Sequence, residues 1–391
     1  MIGKAINFVK NGKYESGFKY ILVDEFQDIS QSRYRLLKSL LDQNEAKLFC
    51  VGDDWQSIYR FTGSDFSIMV HFKENFGFSE TSFLQETFRF GDKLCEFSSK
   101  FILQNPIQIK KTIISSRKEE SPVVTIIQNS TEQSVKEIIS KIAKESNNKE
   151  SVFIIGRYGY LEPENLYELR REFAELAIEF TTAHSSKGLQ ADHVILVGLT
   201  SGEHGFPCEI ADDPVLNLVL ADKDAFRNAE ERRLFYVAVT RAKKHVYLVV
   251  DKNKNVSSFV SEIQRGEYEI NYYGEKSQVS HCPICKTGEI VQKYGEYSVF
   301  YSCNNYPYCE YIAKKCPKCK NGFLERKILD YRCSEPKCRF HAEVCPSCDD
   351  GYFVRRQGRN GGYFYGCSNY PSCKHIKREF RREKHYRKYV N

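Results

Sequence analysis

The sequence predicts an α/β protein with a parallel sheet, followed by a set of small cysteine-rich modules. Between Asp92 and Phe180, helical and strand patterns alternate, an order typical of parallel sheets in which a helix joins successive strands. Twelve of the fifteen cysteines lie after residue 281. Residues 281–391 have a formal charge of +11, whereas residues 1–280 have a formal charge of −4. The chain therefore combines two unlike modules.

The apolar patterns place the predicted elements in order. Tyr20–Val23 is a continuous apolar run with two β-branched residues, which predicts a short buried strand. A helix is predicted over residues 29–41, where Tyr34, Leu37 and Leu41 recur near helical spacing, and Leu48–Val51 predicts a second buried strand. Further strands are predicted at Phe83–Arg89, Val123–Gln128, Val152–Arg157, Phe180, His193–Leu199 and Val246–Val250, and further helices at Lys93–Leu103, Glu132–Lys144, Pro163–Leu176 and Glu230–Thr240.

An acidic pair, Asp24-Glu25, directly follows the first strand. Ligands of open parallel sheets bind beyond the carboxyl ends of the strands. An Asp in that place can hold the Mg²⁺ of a nucleotide, and the adjacent Glu can orient and deprotonate a water molecule. For a lone pair of this kind, a solvated acidic turn is the alternative.

Composition excludes several classes of protein. The hydrophobic content of 41% is sufficient for ordinary globular cores, and no apolar run approaches membrane-spanning length. The first seventeen residues lack the apolar core of a signal peptide. We therefore expect a cytoplasmic protein with no membrane partner.

Five segments add a specific pattern, and they follow one another in a fixed order: DEFQD at Asp24–Asp28, VGDDWQSIYRFTG at Val51–Gly63, LQETFRF at Leu84–Phe90, TTAHSSKGLQADHV at Thr181–Val194, and EERRLFYVAVTRAKK at Glu230–Lys244. Together they resemble the motifs of UvrD-like superfamily 1 DNA helicases, and of the helicase IV branch in particular. The resemblance covers roughly residues 15 to 250. It implies RecA-like motor domains, ATP and Mg²⁺ as cofactors, single-stranded DNA or DNA junctions as partners, and 3′-to-5′ polarity.

The resemblance also implies roles for individual residues. It makes Asp24 the Mg²⁺ ligand, Glu25 the residue that activates water, and Arg241 the arginine finger. The residues implied to bind ATP are Gln56, Phe88, Arg89, Gln190 and Arg241. The residues implied to contact DNA are Tyr59, Phe61, Thr182 and His184.

Each implied role has a structural alternative. Phe61 by itself would fit a core aromatic, and His184 a structural histidine. Arg89 would fit a surface arginine, and Arg241 an arginine at a helix terminus. Two positions also depart from the family pattern. Phe88 replaces a tyrosine and can still stack, and Gln190 replaces a glutamate and can still form hydrogen bonds.

The domain boundaries follow from these motifs. Residues 1–82 are predicted to be a partial first motor domain, 83–251 a second motor domain, and 252–280 a polar linker. Residues 281–312, 313–341 and 342–376 are predicted to be three small modules, and 377–391 a basic tail. A phosphate-binding GxxxxGK[ST] sequence is absent, and only nineteen residues precede the first strand. We therefore expect a truncated or split form of a longer helicase, whose phosphate-binding half is lost or supplied by another polypeptide.

The cysteines after residue 281 form three clusters of four, and each cluster begins Cys-Pro-x-Cys. Four thiolates at such spacing suit tetrahedral Zn²⁺, and a module of this size needs a metal or disulfides to fold. Zinc is favoured over the alternative of a disulfide framework, because no secretory signal is present. The predicted ligands are Cys282, Cys285, Cys303 and Cys309; Cys316, Cys319, Cys333 and Cys338; and Cys345, Cys348, Cys367 and Cys373.

The segments CNNYPYCEY and CSNYPSCKH resemble the zinc ribbons at the C-terminus of bacterial type I topoisomerases. The resemblance covers residues 281–376 and implies DNA binding. Aromatic residues are interspersed with Lys and Arg, a mixture that suits base stacking and phosphate pairing. These aromatics are Tyr301, Tyr306, Tyr363, Phe364, Tyr365 and Tyr370.

Two functions from different classes remain open at this point. The first is an ATP-driven DNA helicase or the portion of it that bears the motor. The second is a non-catalytic DNA-binding protein with working zinc ribbons and a relic motor half. A phosphate-binding loop upstream would discriminate between them.

Overall fold

The structure is a computed structural model of the protein. It describes residues 1–15, 17–146, 149–210, 226–274, 280, 282–286, 288–295, 299–335, 337–348, 350–358 and 360–378. The chain divides into two compact units, Met1–Ser277 and Gln278–Asn391. Most of the predicted basic tail lies outside the described residues. Within the described part, no helix is long and apolar enough to cross a membrane.

The first unit begins with a small α/β lobe. Its helices are α1 (Ile2–Lys10), α2 (Gln31–Asn44), α3 (Ser67–Val70) and α4 (Phe72–Phe76), and its strands are β1 (Tyr20–Val23) and β2 (Lys47–Cys50). The two strands pair in parallel, with Val23 opposite Cys50. The side chain of Ser30 caps α2 by accepting a hydrogen bond from the backbone of Arg33. One face of the strand pair packs on a core centred on Phe26 and Leu37.

The other face of this strand pair is exposed, which differs from the prediction of two buried strands. Leu22 is 72% exposed and Phe49 is 63% exposed, because their side chains alternate with those that reach the core. Parallel strands normally have both faces covered. The apolar run therefore predicted the strands correctly, but not how much of each strand is covered here.

Over the residues that the structure describes, the larger part of the first unit forms a six-stranded parallel sheet with the order β5-β4-β6-β7-β3-β8. Its helices cover both faces, and successive residues of the central strands alternate between two cores. This confirms the predicted α/β fold. The strands are β3 (Val124–Asn129), β4 (Ser151–Gly156), β5 (Ala177–Thr182), β6 (Ala191–Leu196), β7 (Ala242–Asp251) and β8 (Asn271–Tyr273), and the helices are α5 (Asp92–Ile102), α6 (Thr131–Glu145), α7 (Leu166–Glu172), α8 (Ala229–Val239) and α9 (Ser258–Arg265).

Two predicted segments differ from the structure. Phe83–Arg89 is irregular, with a single bridge between Glu86 and Ile114, because its large apolar side chains are exposed and do not join a core. The predicted polar linker over 252–280 contains α9 and the edge strand β8. Phe259 and Ile263 lie one helical turn apart in α9 and are buried, so a short apolar stripe outweighs the polar composition.

In its described residues, the second unit forms three small antiparallel sheets of three strands each. The first ribbon has β9 (Ile290–Tyr294), β10 (Val299–Cys303) and β11 (Ile312–Ala313). The middle ribbon has β12 (Leu324–Arg326), β13 (Asp330–Cys333) and β14 (His341–Glu343). The third ribbon has β15 (Phe353–Gln357), β16 (Tyr363–Cys367) and β17 (Ile376–Arg378). This arrangement confirms the prediction of small modules after the α/β domains.

Candidate nucleotide, DNA and metal sites

The acidic pair lies at the carboxyl end of β1, as the motif predicts. Asp24 and Glu25 are both exposed, and Glu25 adopts a left-handed backbone conformation with φ of 49°. The backbone N–H of Glu25 donates a hydrogen bond of 2.8 Å to Asp24 Oδ1. Gln27 Nε2 donates to Glu25 Oε2 at 2.5 Å and so fixes the direction of that carboxylate. Asp24 has no cation partner among the described residues, which leaves it accessible to a hydrated divalent ion.

Lys187, in the loop between β5 and β6, contacts this acidic segment. Its Nζ lies 2.5 Å from Asp28 Oδ2 and 3.3 Å from Glu25 Oε2, and it donates to the carbonyl of Gln56 at 3.1 Å. The ammonium also lies 5.0 Å from the centroid of the Tyr59 ring. Burial raises the pKa of Asp28 despite this cation. Lys187 thus ties together the segments that carry the acidic pair, the glutamine and the aromatic residues.

Gln56 belongs to a chain of hydrogen bonds that starts at the acidic segment. Gln27, which is buried, accepts a bond of 3.0 Å from the backbone of Asp53, and Asp53 Oδ2 accepts a bond of 2.6 Å from Gln56 Nε2. Trp55, which lies between Asp53 and Gln56 in the sequence, is fully buried. The centroid of its ring lies 5.4 Å from that of the Tyr236 ring, in an edge-on arrangement. The predicted nucleotide-sensing glutamine is therefore anchored next to buried residues of the core.

Arg241 and Arg89 converge on the loop after α8. Arg241 is 1% exposed, and its guanidinium donates to the carbonyls of Val237 and Leu189 at 2.8 and 3.2 Å. Arg89 Nη1 reaches the carbonyl of Thr240 at 3.5 Å. Burial and the neighbouring charge of Arg89 lower the pKa of Arg241 to about 10. Two cations forced together in this way create a site where an anion would be stabilised.

The other two predicted nucleotide contacts lie on the surface. Phe88 is 82% exposed, and Gln190 is also exposed. Neither side chain joins the core. Both side chains therefore remain accessible to the base or the sugar of a nucleotide.

The predicted DNA contacts form an aromatic group. The rings of Phe61 and His184 lie 5.3 Å apart edge-on, and Tyr59 lies 6.1 Å from Phe61. Phe61 is 61% exposed, which excludes a core role for it. Burial and the charge of Arg157 lower the pKa of His184 to about 4, so the imidazole is neutral at pH 7. Thr182 is directed toward the chain itself, since its hydroxyl donates a hydrogen bond of 2.9 Å to Ser185 Oγ.

Each of the three cysteine clusters brings four thiol groups together. In every cluster the four Sγ atoms lie within 4.8 Å of one another. The Sγ atoms that form thiol–thiol hydrogen bonds are 3.5 to 3.8 Å apart. Tetrahedral Zn²⁺ with Zn–S bonds of 2.3 Å requires S–S separations of about 3.8 Å. The clusters therefore fit four-thiolate zinc, and all twelve cysteines are free thiols rather than disulfides.

Backbone amides support the thiolates of each cluster. The backbone of Asn305 donates to Cys303 Sγ at 3.3 Å, and that of Asn369 donates to Cys367 Sγ at 3.4 Å. In the middle ribbon, the backbone of Glu335 donates to Cys333 Sγ at 3.4 Å. Such bonds stabilise negative charge on sulfur, as metal-bound thiolates require.

Sequence analysis missed several residues that join the parts of the first unit. Arg233 is 2% exposed and donates to the carbonyl of Ser57 at 2.6 Å. Lys111 pairs with both Asp53 and Asp54. Lys187 and Arg233 lie inside the recognised motifs, which could have drawn attention to them. Lys111 lies in a segment without any motif, and only the folded chain places it against Asp54.

Parts of the chain match three families of known proteins. Residues 5–77 match the UvrD/REP helicase N-terminal domain, and residues 155–253 match the UvrD-like helicase C-terminal domain. Residues 279–315 and 342–381 match the topoisomerase DNA binding C4 zinc finger. The predicted resemblance to UvrD-like helicases, joined to topoisomerase-type zinc ribbons, is confirmed.

Individual relatives agree with this class. The chain is 41% identical over 261 residues to DNA helicase IV of Escherichia coli, which covers 66% of this chain and 38% of the relative. It is 28% identical over 152 residues to the ATP-dependent DNA helicase Rep of Buchnera aphidicola, covering 38% of this chain and 23% of the relative. The ATP-dependent DNA helicase PcrA of Staphylococcus epidermidis is 36% identical over 93 residues, covering 24% of this chain and 12% of the relative. The chain thus spans about two fifths of the length of helicase IV.

Proposed function

We propose that this chain carries the second part of an ATP-driven 3′-to-5′ DNA helicase motor, together with zinc ribbons that hold DNA. The observation that carries the proposal is the network around Lys187. It connects the acidic segment at Glu25 and Asp28 with Gln56 and with the aromatic group that includes Tyr59. A candidate hydrolytic site and a candidate DNA site are thereby joined through one side chain. Such a connection is what coupling of hydrolysis to DNA movement requires.

Within this proposal each nucleotide contact has a chemical task. Asp24 would hold Mg²⁺, which neutralises charge on the phosphates when bound. Glu25, whose carboxylate is oriented by Gln27, would accept a proton from the attacking water. Arg89 and Arg241 would pair with the γ-phosphate, and the anion would relieve their mutual repulsion.

The surface residues would complete the site. The exposed ring of Phe88 would stack on the base of the nucleotide, and the amide of Gln190 would bond its ribose. On the DNA side, Phe61 and Tyr59 would stack on bases regardless of sequence, because every base has a π-face. Neutral His184 and Thr182 would line the same path.

Residues 1–391 contain no GxxxxGK[ST] loop, so they lack the backbone N–H groups, lysine and hydroxyl that normally cradle the phosphates. The proposal therefore includes an upstream segment, on the same or another polypeptide, that supplies this cradle. We expect residues 1–391 alone to show no appreciable DNA-stimulated ATPase.

The experiment is a phosphate-release assay with single-stranded DNA, on residues 1–391 and on a form extended upstream through the phosphate-binding loop. The extended form should hydrolyse ATP, and Glu25→Gln should abolish hydrolysis while leaving ATP binding. Turnover by residues 1–391 alone that depends on Glu25 would refute the need for an added cradle.

A second function is favoured by a separate observation. The zinc ribbons match a DNA-binding family and form a compact unit of their own, so DNA binding does not require hydrolysis. A DNA-binding protein with a relic motor half predicts an extended form that binds DNA without DNA-stimulated ATPase. The same assay therefore discriminates the two functions.

A further inference from the structure

The first and third ribbons each present a tyrosine to solvent at one equivalent position in the loop before their fourth cysteine. In the first ribbon, Tyr308 in the same loop is exposed as well. Tyr306 and Tyr370 both stand three residues after the third cysteine of their ribbon, and they are 62% and 60% exposed. Lys293 Nζ lies 5.4 Å from the centroid of the Tyr306 ring. Arg356 Cζ lies 5.4 Å from the centroid of the Tyr370 ring. The two ribbons thus repeat one arrangement of an exposed ring beside a cation.

The two cations also occupy equivalent positions in the sequences of their ribbons. Lys293 and Arg356 both lie five residues after the glycine that follows the second cysteine of their ribbon. An exposed aromatic face with an adjacent cation suits one nucleotide of a single strand, because the base can stack while the cation meets a phosphate. Each arrangement therefore has the two groups that a subsite for one nucleotide needs.

The middle ribbon lacks this subsite. At the position of the exposed tyrosine its sequence has Pro336, and its loop is one residue shorter. The lysine equivalent to Lys293 is Lys327, which pairs with Glu325 at 3.0 Å instead of lying over a ring. The match to the DNA-binding zinc-finger family likewise omits residues 316–341.

The middle ribbon is instead joined to both neighbours by aromatic contacts. The ring of Phe323 lies 5.1 Å from that of Tyr301 and belongs to the core of the first ribbon. The ring of Tyr352, in the third ribbon, lies 5.7 Å from that of Tyr331 and belongs to the core of the middle ribbon. We call Phe323 and Tyr352 the linking aromatics.

The linking aromatics occupy one position of the repeat. Each directly follows the turn glycine of its ribbon, where the first ribbon, which follows no other, has Glu289. The residues they contact are equivalent as well, since Tyr301 and Tyr331 both precede the third cysteine by two residues, and both are buried. Because neighbouring ribbons share their cores, they cannot rotate independently without exposing these rings.

We propose that the middle ribbon is a rigid spacer that holds two equivalent base-stacking subsites, Tyr306 with Lys293 and Tyr370 with Arg356, at a fixed separation on one DNA strand. This inference rests on the proposed DNA binding by the ribbons. Two subsites on one rigid body bind a long strand more tightly than either subsite alone, because the second contact is intramolecular.

The first test measures binding of fluorescent poly(dT) to the full chain at low salt. Tyr306→Ala and Tyr370→Ala should each weaken binding of a long strand roughly tenfold. Lys293→Ala should weaken it to a smaller extent, and the matched control Lys327→Ala should leave it unchanged. With oligonucleotides shorter than the separation of the two subsites, found from a length series, each tyrosine variant should remove one binding event and leave the other.

The second test addresses the spacer. Phe323→Leu and Tyr352→Leu keep apolar volume in the shared cores but remove the ring contacts, and zinc content should stay at the wild-type value. Short oligonucleotides should bind as to wild type, whereas the long strand should lose about tenfold in affinity as the fixed separation is lost. Should either variant lose zinc, the short-strand stoichiometry of the tyrosine variants still decides whether two subsites exist.

The outcomes separate this inference from the proposed function. If removing residues 278–391 leaves DNA affinity unchanged, the ribbons do not bind DNA and the proposed function fails in that part. If removal weakens binding but neither tyrosine variant does, the ribbons bind elsewhere and the inference alone is refuted. Equal losses from Lys327→Ala and Lys293→Ala would show that the middle ribbon contacts DNA and is not a spacer.

Discussion

Replacing Lys187 by methionine should destabilise the first unit far more than loss of an ordinary surface lysine. The side chain of Lys187 is only 10% exposed, and that of Asp28, its partner at 2.5 Å, is 18% exposed. Removing one member of a buried ion pair costs about 3–5 kcal/mol, because the other charge is left without compensation. Burial already raises the pKa of Asp28, so uptake of a proton would relieve part of this cost. We expect a loss of roughly 2–3 kcal/mol.

The measurement is thermal unfolding followed by the fluorescence of Trp55. This residue is the only tryptophan and is buried in the first unit, so its signal reports on that unit alone. For a unit of this size, 1 kcal/mol shifts the Tm by about 2 °C, so Lys187→Met should lower the Tm by roughly 4–6 °C. The loss should shrink at pH 5, because Asp28 in the variant has a raised pKa and the folded state then binds the extra proton.

A surface ion pair provides the control. Lys136 and Glu172 lie 2.7 Å apart with side chains 51% and 47% exposed, so Lys136→Met should cost less than about 0.5 kcal/mol. Adding Asp28→Asn to Lys187→Met should recover part of the lost stability, since the uncompensated carboxylate is then removed. If Lys187→Met and Lys136→Met shift the Tm equally, the interpretation of Lys187 as a buried link between motifs is wrong.

Four further predictions concern other parts of the chain. Elemental analysis should find three zinc ions per chain, and a chelator should unfold the second unit while Trp55 fluorescence stays native; zinc near zero would refute this. Burial, with His193 and Lys141 nearby, lowers the pKa of His245 to about 4, so the unfolded state binds the extra proton between pH 6.5 and 4. Stability should fall by about 2 kcal/mol from pH 7 to pH 5 through this group, and His245→Gln should flatten that slope in pH-dependent denaturant melts. Arg232→Met should cost about 3–5 kcal/mol by leaving the buried carboxylate of Glu262 unpaired, as urea titration would measure. Phe61→Ala should weaken single-stranded DNA binding roughly tenfold without changing the Tm, because the ring is exposed; a change in Tm with unchanged binding would indicate a structural role.

Much of the fold could be predicted from local patterns. Alternating helix and strand signals located the central strands β4 and β6 to within a few residues, because buried parallel strands are continuously apolar. Phe83–Arg89 misled the same reasoning, because its large apolar side chains are exposed and do not join a core. The helix α9 was missed for the opposite reason, because three apolar residues in a polar segment suffice when they share one face.

The placement of candidate site residues was predictable only where it is local. Asp24 and Glu25 lie beyond a strand because the sequence places them directly after it. The exposure of Tyr306 and the burial of Tyr301 were not predictable, since both are tyrosines of the same ribbon, a few residues apart. Packing of the next ribbon onto Tyr301 removes it from solvent, and that contact is decided between modules.

By itself, the sequence determined the order of the helicase motifs, the alternation that builds a parallel sheet, and the cysteine spacing that brings four thiols together. These features depend on residues near one another in the chain, so they can be recognised from short sequence patterns. Only the tertiary structure decided that Lys187 meets Asp28, 159 positions away, and that Phe323 completes the core of the ribbon before its own. Such contacts depend on the path of the whole chain, because burial and pairing energies are gained only once distant segments have been brought together.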